Sequence, residues 1–562
     1  MDKAATIVDK AKQLQNERGQ LNHMWEEIAE VLAPERVGFV SNLTSEGSTN
    51  VKRESKIYDT TPLMAKRSLV NAIGGMLRPK SAAPGKWFDI TPEDDTILDK
   101  DKAAKEWVEF AEDRLWKALY NPKAQFIQAT GEVDDDLITF GTGAGFLGMR
   151  RDKKGFLFRS FHLAKTFIEM DYDNQPNSVY IIEWLTAKQA AAKWGRENIG
   201  KTAQKALVSS DKIQTNEKYE FIWCVKPRYE LDPERIDNLN MPWMSIVIAA
   251  ADEHIVLEEG FKYFPFFFPR WDTRSGEAYG RGPGVLALPD VLTLNQMGKT
   301  MLRGLHRAVA PPWLLPSDSM VNAPQMQPDG ISYYDAKAIR NLGLSNPFIQ
   351  MESRAQIPWG LNAQTAGREQ LMALFFRNVL NLPVDSPQMT ATEVIQRREE
   401  FVREIGAVFG RLESDYTGPI VEHAFNTMLD NGSFGTPDQI PESLQGANIE
   451  FRFASPVEKA KRQIEETTVM EGLQEVVALS EVWPEVKNRY NGDAIGKFIA
   501  KARDFPVGLT HDDAKVAEMG QQQQEAAAKE QQMQQMERGA AMAGSLPPEA
   551  LAAAGGGEGE AA

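Results

Sequence analysis

The residues that come nearest to an enzyme motif are Gly298-Lys299-Thr300, which match the end of a phosphate-binding loop. Such a loop also needs a glycine five positions before this run, because its backbone amides must wrap around the phosphates. Thr293 occupies that position, and the surrounding residues have the apolar spacing of a helix. The sequence therefore predicts no nucleotide-hydrolysis site here.

Carboxylates, histidines and glycine-rich turns are the features of this sequence that could bind a metal or a cofactor. Asp134-Asp135-Asp136 could bind a cation, but a run of this kind is more often a solvated helix face, which is our prediction. The six histidines are scattered, and the one cysteine, Cys224, lies in an apolar run. Gly141-Thr142-Gly143 follows a helical pattern, without the preceding strand of a dinucleotide site, and predicts a helix end. We therefore expect no enzyme, no metal and no cofactor.

One regular set of basic residues remains. Lys299, Arg303 and Arg307 recur every four positions in a helical pattern that begins near Gly284. Residues four apart lie on the same face of a helix. The sequence therefore predicts a basic face that meets negative charge.

A long amphipathic pattern follows further along the chain. From Val394 to Tyr416, apolar residues recur at spacings of three and four, which indicates one buried helix face. Gly418-Pro419 breaks or kinks this helix, and the pattern resumes as far as Asn431-Gly432. The helix is preceded by a short loop with two prolines and one charge: Pro383, Val384, Asp385, Ser386, Pro387 and Gln388.

The remaining patterns predict an α+β chain that is mainly helical. Strand-like runs lie between residues 144 and 272, with one helix among them at 186–195. Residues 311–360 are rich in proline, asparagine and glycine, with short strands. The other helices are predicted at 3–32, 62–77, 99–120, 123–140, 284–307, 363–380 and 456–503.

Composition narrows the class of protein further. A chain of 562 residues is too long to fold around a single hydrophobic core, so two or more sub-domains are expected. The net charge of −16 disfavours tight wrapping around nucleic acid, which requires lysine and arginine, but suits a surface along which nucleic acid slides. We expect neither a signal peptide nor a membrane span, since the longest apolar run, 243–251, is too short.

Five blocks of residues, in this order, resemble the bacteriophage head-to-tail connecting proteins, the portal proteins of short-tailed phages. Together they extend from about residue 55 to 505. The blocks are Tyr58-Asp59-Thr60-Thr61 with Trp87-Phe88; Asp136-Leu137 with Gly141-Thr142-Gly143; Pro269-Arg270-Trp271 with Tyr279-Gly280-Arg281-Gly282-Pro283-Gly284, Leu288-Pro289-Asp290 and Leu294-Asn295; Met389 to Val394 with Arg397; and Ser455-Pro456-Val457 with Lys461-Arg462-Gln463.

The resemblance implies a portal fold, in which copies form a ring, typically of twelve, around a central channel. It implies the following organisation: a wing at 1–283, a first stem helix at 284–310, a clip at 311–361, a second stem helix at 362–381, a channel loop at 382–390, long wing helices at 391–455, a crown at 456–514 and a low-complexity tail at 515–562. That tail stands where some members have a helical barrel.

The resemblance also implies partners and a location. These are further copies of the chain, double-stranded DNA in the channel, the terminase packaging motor, a tail adaptor, and the major capsid and scaffolding proteins. The protein would be made in the bacterial host cytoplasm and would reside at the head-tail vertex of the virion.

Alternatives remain for the basic face and for the function. Lys299, Arg303 and Arg307 fit ion pairs between neighbouring subunits, which we favour, or rings of charge that face the channel. Besides a portal, the chain could be another virion component, such as a tail adaptor or tube subunit. A motor ATPase is disfavoured by the missing phosphate loop.

Overall fold

The structure is a computed structural model, and much of the chain before residue 454 can be described. The described residues are 3–36, 38–40, 56–78, 86–93, 97–98, 101–150, 152–208, 217–232, 237–317, 325, 327–335, 349–351, 357–377, 406, 408–436, 439–446, 449–453 and isolated helical positions between 469 and 533. Within them, no helix is long and apolar enough to cross a membrane. No group of three or more His, Cys, Asp or Glu residues in these ranges could hold a metal ion.

The described part of the fold combines helices with three antiparallel sheets and one mixed sheet. The described helices are α1 (Lys3–Glu17), α2 (Gly19–Leu32), α3 (Thr61–Leu77), α4 (Lys102–Leu119), α5 (Phe126–Phe140), α6 (Ala187–Trp194), α7 (Lys201–Val208), α8 (Pro283–Val309), α9 (Ile357–Leu374) and α10 (Gly418–Asp430). The expected mixture of helix and strand is confirmed.

Thirteen strands are described. They are β1 (Phe88–Pro92), β2 (Gly145–Met149), β3 (Phe156–Ser160), β4 (Thr166–Met170), β5 (Pro176–Thr186), β6 (Lys218–Pro227), β7 (Trp243–Ala249), β8 (His254–Phe261), β9 (Phe266–Phe267), β10 (Trp313–Ser317), β11 (Ile331–Asp335), β12 (Ile349–Gln350) and β13 (Ile449–Phe453). Their sheet orders are β4-β5-β6-β7-β8, β3-β2-β9, β11-β10-β12 and β1-β13.

The five-stranded sheet is covered on both faces. Alternate residues of its strands point to opposite faces, so Tyr180 and Cys224 pack with α1 while Phe221 packs with α6 and α7. Burial raises the pKa of the Cys224 thiol to about 12, as expected of a cysteine that serves as a small apolar side chain. Strands β4 and β8 and helix α7, which have five, eight and eight residues, were not predicted.

The first helix is interrupted, contrary to the predicted continuous helix at 3–32. Arg18 forms a turn between α1 and α2, and Gly19 starts the second helix. The Arg18 guanidinium donates to the backbone oxygens of Thr166 and Ala164, the latter at 3.1 Å, and lies 4.0 Å from the Phe167 ring centre. These contacts hold the turn between α1 and α2 against the start of β4.

The acidic run in α5 is not a solvated face, so that prediction is wrong. Asp134 is buried and pairs with Arg78. Asp136, also buried, forms an ion pair with Arg36, whose Nε lies 3.0 Å from Asp136 Oδ1. The third carboxylate, Asp135, pairs with Lys66 Nζ at 3.0 Å. Each carboxylate thus has its own cation on a neighbouring segment, because buried charges are stable only when paired.

The long amphipathic helix predicted from Val394 can be followed only from residue 406, since its predicted start lies outside the described residues. Helical residues 408–412 lead into a π-helical segment, Glu413–Thr417, and then into α10. Pro419 lies in the first turn of α10, where a missing N–H is tolerated. The chain therefore changes helical type before Gly418-Pro419, and does not break there.

Candidate functional site

The predicted channel loop, with Pro383, Val384, Asp385, Ser386, Pro387 and Gln388, lies outside the described residues. The prediction for this loop therefore remains a prediction. The basic residues Lys299, Arg303 and Arg307 are described and lie in the second half of α8. We consider first the elements that hold this helix.

Helices α8 and α9 pack antiparallel to each other. A side chain at Gly360 would place its Cβ 2.4 Å from Met301 Sδ, and one at Gly367 would place it 3.6 Å from Leu294 Cδ1. A shift of seven residues forward in α9 thus corresponds to seven residues backward in α8. The absence of a side chain at Gly360 lets the two helices approach closely.

The first of the five family-like blocks, Tyr58 to Thr61, holds this helix pair against the rest of the protein. The Tyr58 amide donates to Asn295 Oδ1 of α8 at 2.7 Å. The buried Asp59 carboxylate accepts from Gln364 Nε2 at 3.0 Å and from Arg368 Nε at 2.9 Å, both on α9. Burial opposes ionisation of Asp59, but the hydrogen bonds from Thr61 and Arg368 bring its pKa below the usual value.

Gly298, in the run that resembles the end of a phosphate-binding loop, has a packing role where α8 meets Tyr58. At Gly298, an added Cβ would lie 3.3 Å from both the Cβ and the backbone oxygen of Tyr58. The glycine therefore favours close packing, since a larger residue would require a small displacement of Tyr58. Next to it, Lys299 Nζ lies 5.6 Å from the centre of the Tyr58 ring, a cation–π distance.

Arg303 and Arg307 lie beyond this junction and are exposed. In the described part of the chain, neither has a carboxylate within salt-bridge distance. The described carboxylates of the helix pair, Asp290 and Glu369, lie towards the opposite end of α8. Within the described residues, Arg303 and Arg307 are therefore without an ion-pair partner.

An apolar stripe runs along α8, on the side largely opposite to the basic face. In the first half of the helix the stripe is buried, through Ala287, Val291 and Leu294. At about 100° per residue, Leu305 and Val309 continue the same stripe, but both are exposed. The second half of this apolar face is therefore only partly covered within the described part of the subunit.

Two of the glycine-containing blocks meet at the start of α8. An added Cβ at Gly141 would lie 2.3 Å from the Gly282 amide nitrogen, and one at Gly284 would lie 2.3 Å from the Thr139 backbone oxygen. The Gly280 amide donates to Thr142 Oγ1 at 2.8 Å. Gly141 ends α5 with φ of 91°, which confirms the predicted helix end. These glycines allow the backbones to touch where α8 leaves the body.

The π-helical segment supplies two further anchors that sequence reasoning missed. Asp415 accepts from Arg270 Nε at 2.9 Å, and the Tyr416 hydroxyl donates to Asp134 Oδ1 at 2.9 Å. Burial raises the pKa of Asp134, opposed by its pairing with Arg78. On a regular helix, two consecutive polar residues seldom both face the protein interior, so the helical pattern did not indicate these contacts. The only available signal of a buried ion pair was Arg270, which belongs to the third of the family-like blocks.

Comparison with known proteins now defines the class: a structural component of bacteriophage particles, not an enzyme. Within that class, the chain belongs to the bacteriophage head to tail connecting protein family, whose family model matches residues 4–509. This membership confirms the resemblance found in the sequence.

Two relatives carry the name of portal protein. A "Probable portal protein" of Bordetella phage BPP-1 is 27% identical over 488 residues, covering 86% of this chain and 84% of the relative. A "Portal protein" of Salmonella phage epsilon15 is 23% identical over 534 residues, covering 92% of each.

A solved structure shows a weaker similarity. It is a chain of the virion of a native gene transfer agent particle, with a TM-score of 0.35 and 9% identity, covering 74% of this chain and 88% of its own. A similarity of this size does not establish a shared fold.

Proposed function

We propose that the protein is a phage portal: a homo-oligomeric ring at one capsid vertex, with a channel for DNA packaging and ejection. The exposed half of the apolar stripe on α8 is the observation that supports ring assembly. Exposed apolar surface of this kind marks protein interfaces, and a copy of the same chain is available to every subunit of a homo-oligomer. The names of both relatives favour the portal over a tail adaptor or tube subunit.

Within this proposal the chain is organised as in other portals. The pairing of α8 with α9 supports their assignment as stem helices, and the three-stranded sheet β11-β10-β12 between them suits a clip. The proposed divisions are the wing at 1–283, stem helices at 284–310 and 362–381, the clip at 311–361, the channel loop at 382–390, wing helices at 391–455, the crown at 456–514 and the tail at 515–562.

The proposed partners follow from the same assignment. The clip would contact the terminase motor and the tail adaptor, and the wing would contact the major capsid and scaffolding proteins. Double-stranded DNA would pass through the channel. The completed ring would reside at the head-tail vertex of the virion, after synthesis in the bacterial host cytoplasm.

Assembly through the apolar stripe can be tested with a matched pair of substitutions. Val309 is 84% exposed on α8, and Val208 is 79% exposed on α7, away from the helix pair. We expect Val309→Glu to reduce the oligomer to small species in light-scattering measurements, while Val208→Glu leaves it intact. Equal behaviour of the two variants would remove the support for assembly through α8.

For the basic face, we infer ion pairs with the neighbouring subunit. Asp329 supports this role, because it is exposed and its amide donates to the Ala310 oxygen at 3.2 Å, close to the end of α8. Arg307 has no described carboxylate partner in its own subunit. In a cyclic ring, Asp329 of one subunit would therefore form an ion pair with Arg307 of the next subunit.

Exchanging the charges of Arg307 and Asp329 distinguishes ion pairs between subunits from a ring of basic residues that faces DNA in the channel. Arg307→Asp should weaken the oligomer, and the double variant with Asp329→Arg should restore it. If Arg307→Asp leaves oligomer size unchanged but alters the amount of packaged DNA, the basic residues face the channel.

A further inference from the structure

A cavity lies beside the π-helical segment, outside the helix pair. Its volume is about 260 Å³, and it is bounded by the ends of β5 and β7, the chain leading into and through β9, and the first turns of α10. This is large enough for a small organic group. The lining combines aromatic side chains with acceptor groups.

The aromatic wall is formed mainly before and within β9. Trp243 and Phe264 have ring centres 4.6 Å apart, and Phe264 lies 5.9 Å from Phe266. Tyr263 lies against the His423 ring at 5.9 Å. Flat aromatic faces attract cations as well as apolar groups, with a preference for guanidinium.

The charged groups of the cavity leave acceptor capacity. Asp415 Oδ2 accepts a hydrogen bond from Arg270. The other carboxylate oxygen, Oδ1, has only a long contact, 3.4 Å from the Ser414 hydroxyl. That hydroxyl already donates to the Arg411 oxygen at 2.9 Å. A buried carboxylate oxygen that lacks a good donor favours a ligand with N–H groups.

A second carboxylate stands at the rim. Glu422 is exposed, and within the described residues it has no cation at salt-bridge distance. The nearby cations already have carboxylate partners other than Glu422: Arg270 pairs with Asp415 Oδ2 of the same cavity, and Lys262 Nζ lies 2.7 Å from Asp430 Oδ1. His423 adds no charge at neutral pH, because burial lowers its pKa to about 4.

We propose that this cavity binds a guanidinium or alkylammonium group, held between the aromatic wall and the carboxylates of Asp415 and Glu422. The group could come from a free organic cation or from an arginine or lysine side chain of a second copy. Both sources have the same chemistry, namely a donor-rich cation on an apolar stem. The site is independent of the stem helices, so it can fail without affecting the proposed portal function.

The test uses n-butylguanidinium as the probe and n-butylurea as its neutral counterpart, in calorimetric titrations of the full-length protein. We expect saturable binding of the cation, at least tenfold weaker binding of the urea, and at least tenfold weaker cation binding to Glu422→Lys. Glu197→Lys, an exposed reversal between α6 and α7, is the matched control and should bind as the unmodified protein does. Trp243→Leu, with the fold checked by circular dichroism, should also weaken binding.

The source of the group is separated by comparing the assembled protein with the Val309→Glu variant. Binding to both forms would indicate a free cation, and binding to the variant alone would indicate that a neighbouring copy fills the cavity in the assembly. Absence of binding to either form would overturn the proposal. Equal affinity for the urea, or unchanged affinity in Glu422→Lys, would do the same. Oligomer size, measured in parallel, reports separately on the portal proposal.

Discussion

Arg270 and Asp415 form a buried ion pair that joins two distant parts of the chain. Arg270 Nε lies 2.9 Å from Asp415 Oδ2, and the two side chains are only 6% and 5% exposed. Arg270 follows β9, whereas Asp415 belongs to the π-helical segment before α10. The pair therefore fixes the position of the π-helical segment and α10 relative to the chain that follows β9.

Removing one member of this pair should destabilise the subunit strongly. Asp415→Ala leaves a buried guanidinium without its counter-charge, which typically costs about 3–5 kcal/mol. The measurement is the free energy of unfolding in urea. The double variant Arg270→Met with Asp415→Leu should recover much of the loss, because it buries no unpaired charge. A loss below 1 kcal/mol for Asp415→Ala would contradict the structural role.

Two glycines of α8 should respond oppositely to alanine. At Gly284 the new Cβ would meet the Thr139 oxygen at 2.3 Å, so we expect a loss of about 1–3 kcal/mol or more from overpacking. Gly304 has no atom within 4 Å of such a Cβ, and alanine there should add up to about 1 kcal/mol through helix propensity. Thermal denaturation of both variants provides the comparison, and a similar effect at the two positions would be inconsistent with the packing described.

Glu112 should make stability depend on pH near neutrality. Burial raises its pKa from 4.5 to about 7, although the Ile90 amide donates to it at 2.8 Å and Lys86 lies nearby. The folded protein therefore holds this proton more tightly than the unfolded chain does. The resulting stabilisation is complete below pH 4.5 and is lost as the pH rises through about 7.

The variant Glu112→Gln keeps an acceptor for the Ile90 amide and removes the titration. Its stability relative to the unmodified protein should rise between pH 5 and pH 8, as measured by the denaturation midpoint at each pH. A difference that stays constant over this interval would show that Glu112 is not the responsible group.

The channel-loop prediction requires a functional measurement. The loop 382–390 is short, with two prolines that cannot donate backbone hydrogen bonds, and shortening a connector changes loop-closure entropy only slowly. We expect deletion of residues 384–388 to leave ring yield unchanged and to lower packaged DNA per particle. Normal packaging would make the loop a simple connector, and loss of the ring would place it in the subunit interface.

The sequence predicted most long elements, because their apolar spacing is regular over several turns. Helices α3, α4 and α8 and strands β2, β6 and β7 were expected close to their observed bounds. The predictions were wrong where tertiary contacts override local pattern. In the sequence, the three carboxylates of α5 have the pattern of a solvated helix face. In the folded protein, other segments bring Arg36, Lys66 and Arg78 to them.

The candidate site was predictable in part. The four-residue spacing located the basic face of α8, but not its exposure, which depends on where the neighbouring segments end. Nothing in the local sequence distinguished the buried half of the apolar stripe, at Val291, from the exposed half, at Val309. The Asp59 contacts with α9 join residues about 300 positions apart and have no local pattern.

The central claim, assembly into a ring, is tested most directly by native mass spectrometry of the purified full-length protein. The portal proposal predicts a single closed oligomer whose mass is an integer multiple of 62.8 kDa, near twelvefold by the rule of the family. A monomer at every salt concentration and protein concentration tried would contradict it.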